Sequence, residues 1–345
     1  MISVVVLGYN NYSYTQRCIE HLAQSPCAKE YEVIFMDNGS TDDTPTLANQ
    51  FSTCYRRYKY IRNEVNLSCS RALNKAVKSS TGSILLFLNN DIMVGQGSVD
   101  KLIEALVKNS RIGLAGTKLV YPGREIIQHA GVVPMLWGYP LNYGVGAKAS
   151  DSRFNQEREI FCVTGAMSAV GRDVFDAVGG FDEEYFWGYE DVDICLKVRE
   201  AGKQILYFPQ AESIHIESLT LGKNKPNSWL ERNYLVYQKK WGHILSAMEA
   251  AYLRKLRAEG ATHIAIFGTG LAAERLYRIF ANNGFTVPFF ISSSVNTAAE
   301  FLGRPVKTIN QVGSLAHDRI IVGSQFFFEI ESDLPRNAVF PVVDV

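Results

Sequence analysis

Ser83-Ile84-Leu85-Leu86-Phe87-Leu88-Asn89-Asn90-Asp91 says more about the architecture than any other segment of the chain. An unbroken apolar run ends in a polar triplet whose last member is a carboxylate. Apolar residues without polar alternation read as a parallel strand buried on both faces. Such a strand delivers Asn89 and Asp91 to the carboxyl edge of a sheet, where open α/β sheets bind ligands.

On either side of this strand the same grammar repeats. Ile2 to Leu7 is a second β-branched run, closed by Gly8-Tyr9-Asn10-Asn11. Tyr12 to Leu22 carries Thr15, Cys18, Ile19 and Leu22 at helical spacing. Glu32 to Met36 is a strand leaving through Asp37-Asn38-Gly39-Ser40, with Thr41 or Asp42 placed to cap a helix. Tyr58 to Arg62 reads as a strand, and Ser68 to Ser79 and Ser98 to Lys108 as helices. Repeated β-α units predict a mostly parallel sheet covered by helices. Beyond the strand Ile112 to Leu119, residues 120–160 are rich in Gly, Pro and Tyr, with weak periodicity. They read as short antiparallel pieces and loops covering an acceptor groove. Phe161 to Val170 is a strand containing Thr164-Gly165-Ala166. An aromatic loop, Tyr185 to Tyr189, then leads into a helix opened by Glu190-Asp191. Gln204 to Phe208 is a further strand, followed by Ser213-Ile214-His215. Residues 226–241 and 245–259 read as two helices, the second ending in Arg254-Lys255-Leu256-Arg257. That end reads as a linker helix packed between domains, with membrane-surface contact as the runner-up.

Bulk properties narrow the class. A chain of 345 residues exceeds the usual single domain, so two domains are expected. With 35 Lys and Arg against 35 Asp and Glu there is no basic excess, which argues against nucleic-acid binding. The six cysteines form no C-x-x-C pair, so they read as buried free thiols of a reducing compartment. Residues 1–8 lack a basic flank and a cleavage site and read as a strand rather than a signal peptide. No run reaches the roughly 18 apolar residues of a membrane span. The expected location is cytoplasmic, with peripheral contact at the inner face of the plasma membrane as a further option.

Three acids stand at strand ends or helix starts: Asp37, Asp91 and Asp191. Each alone could be a helix cap, but together with His215 they could converge on one sheet edge. Asp91 and His215 suit a hard divalent ion, with Asn89 offering a carbonyl or holding a bound water. Such an ion would bridge a diphosphate. Asp37 could accept from a nucleobase imide or a ribose hydroxyl, and Gly8 and Tyr9 could floor a flat base. Glu190 and Asp191, at a helix start, could take a proton from an acceptor hydroxyl. Which of the two points inward is open from sequence.

These residues also carry a family resemblance. Ser3 to Asn11, Met36 to Asp42, Leu88-Asn89-Asn90-Asp91, Thr164-Gly165-Ala166, Gly179-Gly180-Phe181-Asp182-Glu183 and Glu190 to Cys195, in this order and spacing, resemble family 2 glycosyltransferases of the GT-A fold. The branch is the one often labelled rhamnosyltransferase-like. The resemblance implies a mostly parallel sheet sandwiched by helices over residues 1–225. It implies inverting transfer from a UDP-, dTDP- or GDP-linked sugar with Mn2+ or Mg2+. The acceptor would be a saccharide or lipid-linked saccharide of bacterial surface polysaccharide synthesis. By position, Asp37 would contact the nucleoside, Asp91 the metal, Asp191 would be the base, and His215 would be a second metal ligand. Asn89 and Asn90 fall within the D-x-D-like motif on the nucleotide side, and Arg71 could approach the nucleotide. Departures are Asn89 at the first outer place of that motif, and Ser68 and Ala76 where the family often has Gly. Ile216-Glu217-Ser218 also stands where a second His or a Gly is common. They leave room for a competing reading, a non-catalytic nucleotide-binding scaffold. A nucleotidyltransferase would want a phosphate-cradling glycine loop near the N-terminus, and none is there.

After a helical linker over 226–259, residues 260–345 open a second α/β unit. Gly268-Thr269-Gly270-Leu271-Ala272-Ala273 follows a strand and opens a helix, the setting a dinucleotide fingerprint requires. Phe290-Ile291-Ser292-Ser293 ends the next strand without the acid that would hold a ribose. With Gly303-Arg304-Pro305-Val306 and Ile320-Ile321-Val322-Gly323, the segment resembles the small Rossmann-like domains attached to polysaccharide-biosynthesis enzymes. A structural, regulatory or assembly role, as a homo-oligomer or in complex with other such enzymes, is expected, with an unidentified nucleotide ligand as the runner-up and dehydrogenase activity last.

Overall fold

The β-branched run at the N-terminus becomes β1 (Ile2–Gly8), and its neighbours in space are the other two apolar runs. The computed structural model describes residues 1–216, 227–293, 299–324, 327–331, 334 and 338–342. The chain divides into two units, Met1–Val132 with Asn142–Lys240, and Val133–Leu141 with Trp241–Val345.

In the first unit β1 is followed by α1 (Tyr12–Ala23), β2 (Glu32–Asp37), α2 (Leu47–Phe51), β3 (Arg57–Arg62), α3 (Cys69–Lys78) and β4 (Ile84–Asn89). The order β4-β1-β2-β3 is parallel throughout, as the β-α repeat predicts. Then come β5 (Ile92–Met93), α4 (Ser98–Lys108), β6 (Ile112–Val120), β7 (Ile127–His129), the separate pair β8 (Val132–Pro134) and β9 (Pro140–Asn142), which apart from Val132 and Asn142 belongs to the second unit, and β10 (Arg158–Glu159). The unit continues with β11 (Met167–Gly171), α5 (Arg172–Ala177), α6 (Glu190–Glu200), β12 (Gln204–His215) and the start of α7 (Asn227–Ala258). β11 lies antiparallel between β4 and β6, while β12 runs parallel to β6. The sheet is therefore mixed, with its four parallel strands on one side. Val4, Val6, Val33, Phe35, Leu86 and Leu88 are at most 1% exposed and form the core beneath α1 and α4. Truncating one of them to Ala would cost about 2–5 kcal/mol.

Several expected bounds move. The helix expected after Asp42 is reduced to a turn and the short α2, because Asp42 accepts from Tyr12 N–H and Thr44 N–H instead of capping a long helix. The strand expected over Phe161 to Val170 begins only at Met167. The two helices expected from 226 to 259 are one, α7, since Gly242 passes through it without a break. Cys18, Cys162 and Cys195 are buried as expected, but Cys27 and Cys54 are exposed; all six are free. The residues that follow Ile216, Glu217 and Ser218, lie outside the described residues. No described helix is long and apolar enough to cross a membrane.

The second unit contains β13 (Ile264–Phe267), α8 (Leu271–Asn282), β14 (Phe290–Ser292), β15 (Glu300–Phe301), β16 (Arg304–Thr308), β17 (Arg319–Val322), α9 (Phe327–Ile330) and β18 (Ala338–Val339). Its sheet has the order β15-β16-β14-β13-β17-β18 and is parallel except for the β15–β16 pair. The Gly268–Gly270 turn joins β13 to α8, as its spacing predicts.

Candidate active site

The carboxyl ends of β1, β2 and β4 are level: Gly8 pairs with Asp37, and Leu7 with Asn89. Asn10 and Asn11 adopt left-handed backbone (φ 56° and 63°) and turn the chain sharply off β1. Asn10 ties this loop to the next, since its N–H donates to Ser40 Oγ and its Oδ1 accepts from Thr41 N–H. Gly39 (φ 85°) lies so close to Val65 that a Cβ would come within 2.7 Å of its carbonyl carbon. These contacts set a cavity of about 330 Å³ at the edge, lined in part by Gly8, Tyr9, Asn89, Asp91, Asp191 and His215. That volume falls within the usual range of small-molecule sites, about 300–1,000 Å³.

Asp37 departs from its expected role. Its side chain is fully buried, with Oδ1 accepting from Ser40 N–H and Oδ2 from Tyr60 O–H, and with Arg62 Nε 3.4 Å away. The carboxylate holds the turn, and the residue that lines the cavity is its neighbour Asn38. Asn38 is locked by Asn66, Leu67 and Asn63. Arg71 also departs. The buried stripe of α3 runs through Ala72, Leu73, Ala76 and Val77, which leaves Arg71 outward and paired with Glu183 at 3.5 Å. Asn90 is reached by the cavity, but its Nδ2 donates to Asn10 O and Thr15 Oγ1, a loop-holding role.

Asp91 and His215 do meet. His215 ends β12 and pairs with Ile92 on β5, one residue from Asp91. Its Nε2 is 3.2 Å from Asp91 Oδ1, a buried oxygen that receives no hydrogen bond from any described residue. Ligands side by side on a hard ion, with bonds of about 2.1 Å, lie about 3 Å apart, so the pair suits a divalent cation. Among the described residues no group of three or more His, Cys, Asp or Glu is gathered, so the protein offers two such ligands. Asn89 lines the cavity beside them.

Opposite them, α6 is preceded by Tyr189, whose left-handed backbone (φ 73°) swings Glu190 and Asp191 into the helix's first turn. Asp191 Oδ2 accepts from Gly165 N–H at 3.0 Å and Oδ1 from Val192 N–H at 2.9 Å. A Cβ on Gly165 would stand 3.3 Å from Asp191 Cβ, so Gly keeps the approach open. Burial pushes the Asp191 carboxyl above its ordinary value, against the pull of those backbone donors. Burial, and then the charge of Asp191, push Glu190 upward as well. The aromatic loop before them is clamped by α7: Asn233, fully buried, donates through Nδ2 to Trp187 O (2.7 Å) and Gly188 O (3.0 Å). Phe186 packs on Trp229 of the same helix, with ring centroids 4.6 Å apart, and both line the cavity.

Of the expected residues, Gly8, Tyr9, Asn89, Asn90, Asp91, Glu190, Asp191 and His215 share one cavity. Asp37 and Arg71 do not line it. The sequence reading missed Gln128, His129 and Asn142, which do. His129 donates from Nδ1 to Asn142 Oδ1 and accepts at Nε2 from Thr164 N–H, and burial holds its pKa down to about 4. A Gln-His pair in a segment of weak periodicity gave no signal beyond its residue types.

Residues 3–179 match the model of the family described as Glycosyl transferase family 2, and residues 147–219 that described as the N-terminal domain of galactosyltransferase. The chain is 32% identical over 228 residues to Uncharacterized protein y4gI of Sinorhizobium fredii, covering 64% of this chain and 25% of that protein. Over 246 residues it is 27% identical to the N-acetylglucosaminyl-diphospho-decaprenol L-rhamnosyltransferase of Mycobacterium tuberculosis, covering 65% of this chain and 78% of that one. Among solved structures, GalNAc-T7 with UDP, GalNAc and Mn2+ superposes with a TM-score of 0.60 at 18% identity, covering 83% of this chain and 55% of that one. The chain thus spans about a quarter of the Sinorhizobium protein and about half of the solved one. At that identity the superposition shows the fold, a GT-A-like mixed sheet flanked by helices.

Proposed function

The chain belongs to glycosyl transferase family 2, and on that premise we propose that it transfers a sugar, with inversion, from a nucleotide-sugar donor to a hydroxyl of a saccharide or lipid-linked saccharide. What supports this reading is one observation: Asp91, Asp191 and His215, from three distant segments, line a single cavity. Likeness to the mycobacterial rhamnosyltransferase favours a lipid-diphosphate acceptor and a rhamnosyl donor within bacterial surface polysaccharide synthesis. The solved neighbour carries UDP and Mn2+, which favours a metal-bound nucleoside diphosphate.

In this mechanism the donor's base rests on Gly8 and Tyr9, with the Asn38–Asn66 network alongside. Asp91 and His215 would hold Mn2+ or Mg2+, which when bound offsets the charge of the departing diphosphate. Asp191 faces the acceptor and accepts its hydroxyl proton. The acceptor oxygen bonds to the anomeric carbon as the bond from that carbon to the phosphate oxygen breaks, so a single displacement inverts the centre. A carboxyl raised by burial is the better base near neutral pH, provided it is ionised. Its Gly165 N–H bond keeps the lone pairs oriented. Burial and the charge of Asp191 raise Glu190 beside it, so the two acids resist carrying two negative charges together.

The test is a thermal-shift screen of UDP, dTDP and GDP and their sugars with and without Mn2+, followed by transfer assays on the best donor. Asp191→Asn should lower transfer by about 10²–10⁴-fold with the metal-dependent nucleotide shift intact. A variant as fast as the parent would remove Asp191 as base. Absence of any metal-dependent nucleotide shift would favour the scaffold reading.

A further inference from the structure

A chain of polar atoms at the cavity's edge ends on an oxygen to which no described residue donates. Gln128 is 3% exposed, and its Oε1 lies 2.8 Å from His215 Nδ1. A carboxamide oxygen carries no proton, so Nδ1–H is the donor. In the neutral ring Nε2 is then a lone pair, 3.2 Å from the buried and undonated Asp91 Oδ1. Two such lone pairs repel each other unless a cation, or a proton on Nε2, lies between them.

The backbone puts Gln128 there. Ile127 and His129 pair with Val120 and Leu119, neighbours on β6, so Gln128 is the extra residue of a register slip. Such bulges re-aim a side chain and gather next to active sites. β12 pairs with the same end of β6, Ser213 with Leu119 and Ile214 with Val120. Both members of the Gln128–His215 bond therefore hang on Leu119–Val120 and move only with it. His129 cannot replace Gln128, because both of its ring nitrogens are engaged by Asn142 and Thr164.

We infer that Gln128 is a positioning residue for the cation: by accepting Nδ1–H it fixes the tautomer and orientation of His215, so that Nε2 faces Asp91. This rests on the reading that Asp91 and His215 hold a divalent ion. Removing the hydrogen-bond partner of a metal-bound imidazole costs about 10–100-fold in metal affinity.

The experiment titrates the full chain with Mn2+ alone at one fixed neutral pH, reading free Mn2+ by electron paramagnetic resonance, and repeats it with UDP present. Gln128→Leu, similar in shape and without an acceptor, should bind Mn2+ about 10–100-fold more weakly. Gln128→Glu, whose carboxylate accepts the same Nδ1–H, should bind at least as tightly as the parent. Parental affinity in the Leu variant overturns the inference. So does a Glu variant as weak as the Leu one, because the loss would then come from disturbed packing. If the Leu variant does not fold, the Glu variant decides alone, and a tenfold loss there overturns the role. His215→Ala is the control. Parental Mn2+ binding in it defeats the ion-site reading itself, whereas a loss there with none in Gln128→Leu defeats only the part given to Gln128.

Discussion

Glu190 and Asp191 are adjacent acids in one buried corner, and burial raises both carboxyls. A raised folded value means the native state holds the proton more tightly than the unfolded chain. Its stability is therefore complete below the ordinary glutamate value and falls as pH rises from there toward the raised one. Glu190→Gln removes that loss and should melt higher than the parent, with a gap that widens with pH. Each pH unit over which the parent keeps the extra proton is worth about 1.4 kcal/mol, or about 2–4 °C for a domain of this size. Melting curves at pH 5 and pH 8 with the same gap would refute the assignment. The place of Asp191 in the cavity was legible in the sequence because it stands at a helix start directly after an aromatic loop and beside Glu190. Asp37 was not, because a strand-end acid looks alike whether it meets a ligand or, as here, Tyr60 and Ser40 of its own fold.

Strands β1, β2 and β3 are joined at the end of the sheet opposite the cavity by Glu32, which is 2% exposed. It accepts from Ser3 Oγ on β1, from Lys59 Nζ on β3 and from Thr81 N–H before β4. Burial alone would raise its carboxyl, but these donors outweigh it and bring the value down to about 2. Glu32 thus adds stability that is present above the ordinary glutamate value and is lost as pH falls toward about 2. Glu32→Gln should cost roughly 2 kcal/mol at pH 7, the scale of one charge-assisted bond, and much less at pH 2.5. Urea titrations that return the same difference at both values would contradict this. The parallel strands β1, β2 and β4 were plain from sequence, since each is an apolar run ended by polar residues, while β3 alternates charged and aromatic residues at the sheet's edge. Less visible was β12, which continues past Pro209 to His215 by slipping register against β6 between Phe208 and Ser213. A proline normally argues against a continuing strand, and only the paired neighbour shows that the chain resumes. The slip that makes Gln128 the extra residue of β7 is hidden for the same reason: it depends on what β6 does, not on residues 127–129 themselves.

For the whole molecule, the division into units differs from a cut along the chain. The second unit includes Val133–Leu141, separated from its main part by residues 142–240. Within it Leu136 N–H donates to Pro341 O at 3.1 Å, and the Arg275 guanidinium lies 4.4 Å from the Tyr139 ring centroid. Met135, Leu136 and Trp137 are 2%, 3% and 6% exposed. A boundary read from the glycine-rich turn alone would assign these residues to the transferase unit. Local composition offered no reason to do otherwise, because the partners they need, such as Arg275 and Pro341, come far later in the chain. A chain ended after Lys240 should therefore behave worse than loss of an independent domain would. Burial of a Leu- or Met-sized side chain is worth about 1.5–3 kcal/mol, and this truncation strips the cover from three apolar side chains at once. The expected result is self-association and a lower melting temperature, relieved by replacing Met135, Leu136 and Trp137 with polar residues. A monomeric truncated chain that melts with the parent and keeps the same Mn2+-dependent nucleotide shift would show that residues 133–141 need nothing from residues 241–345.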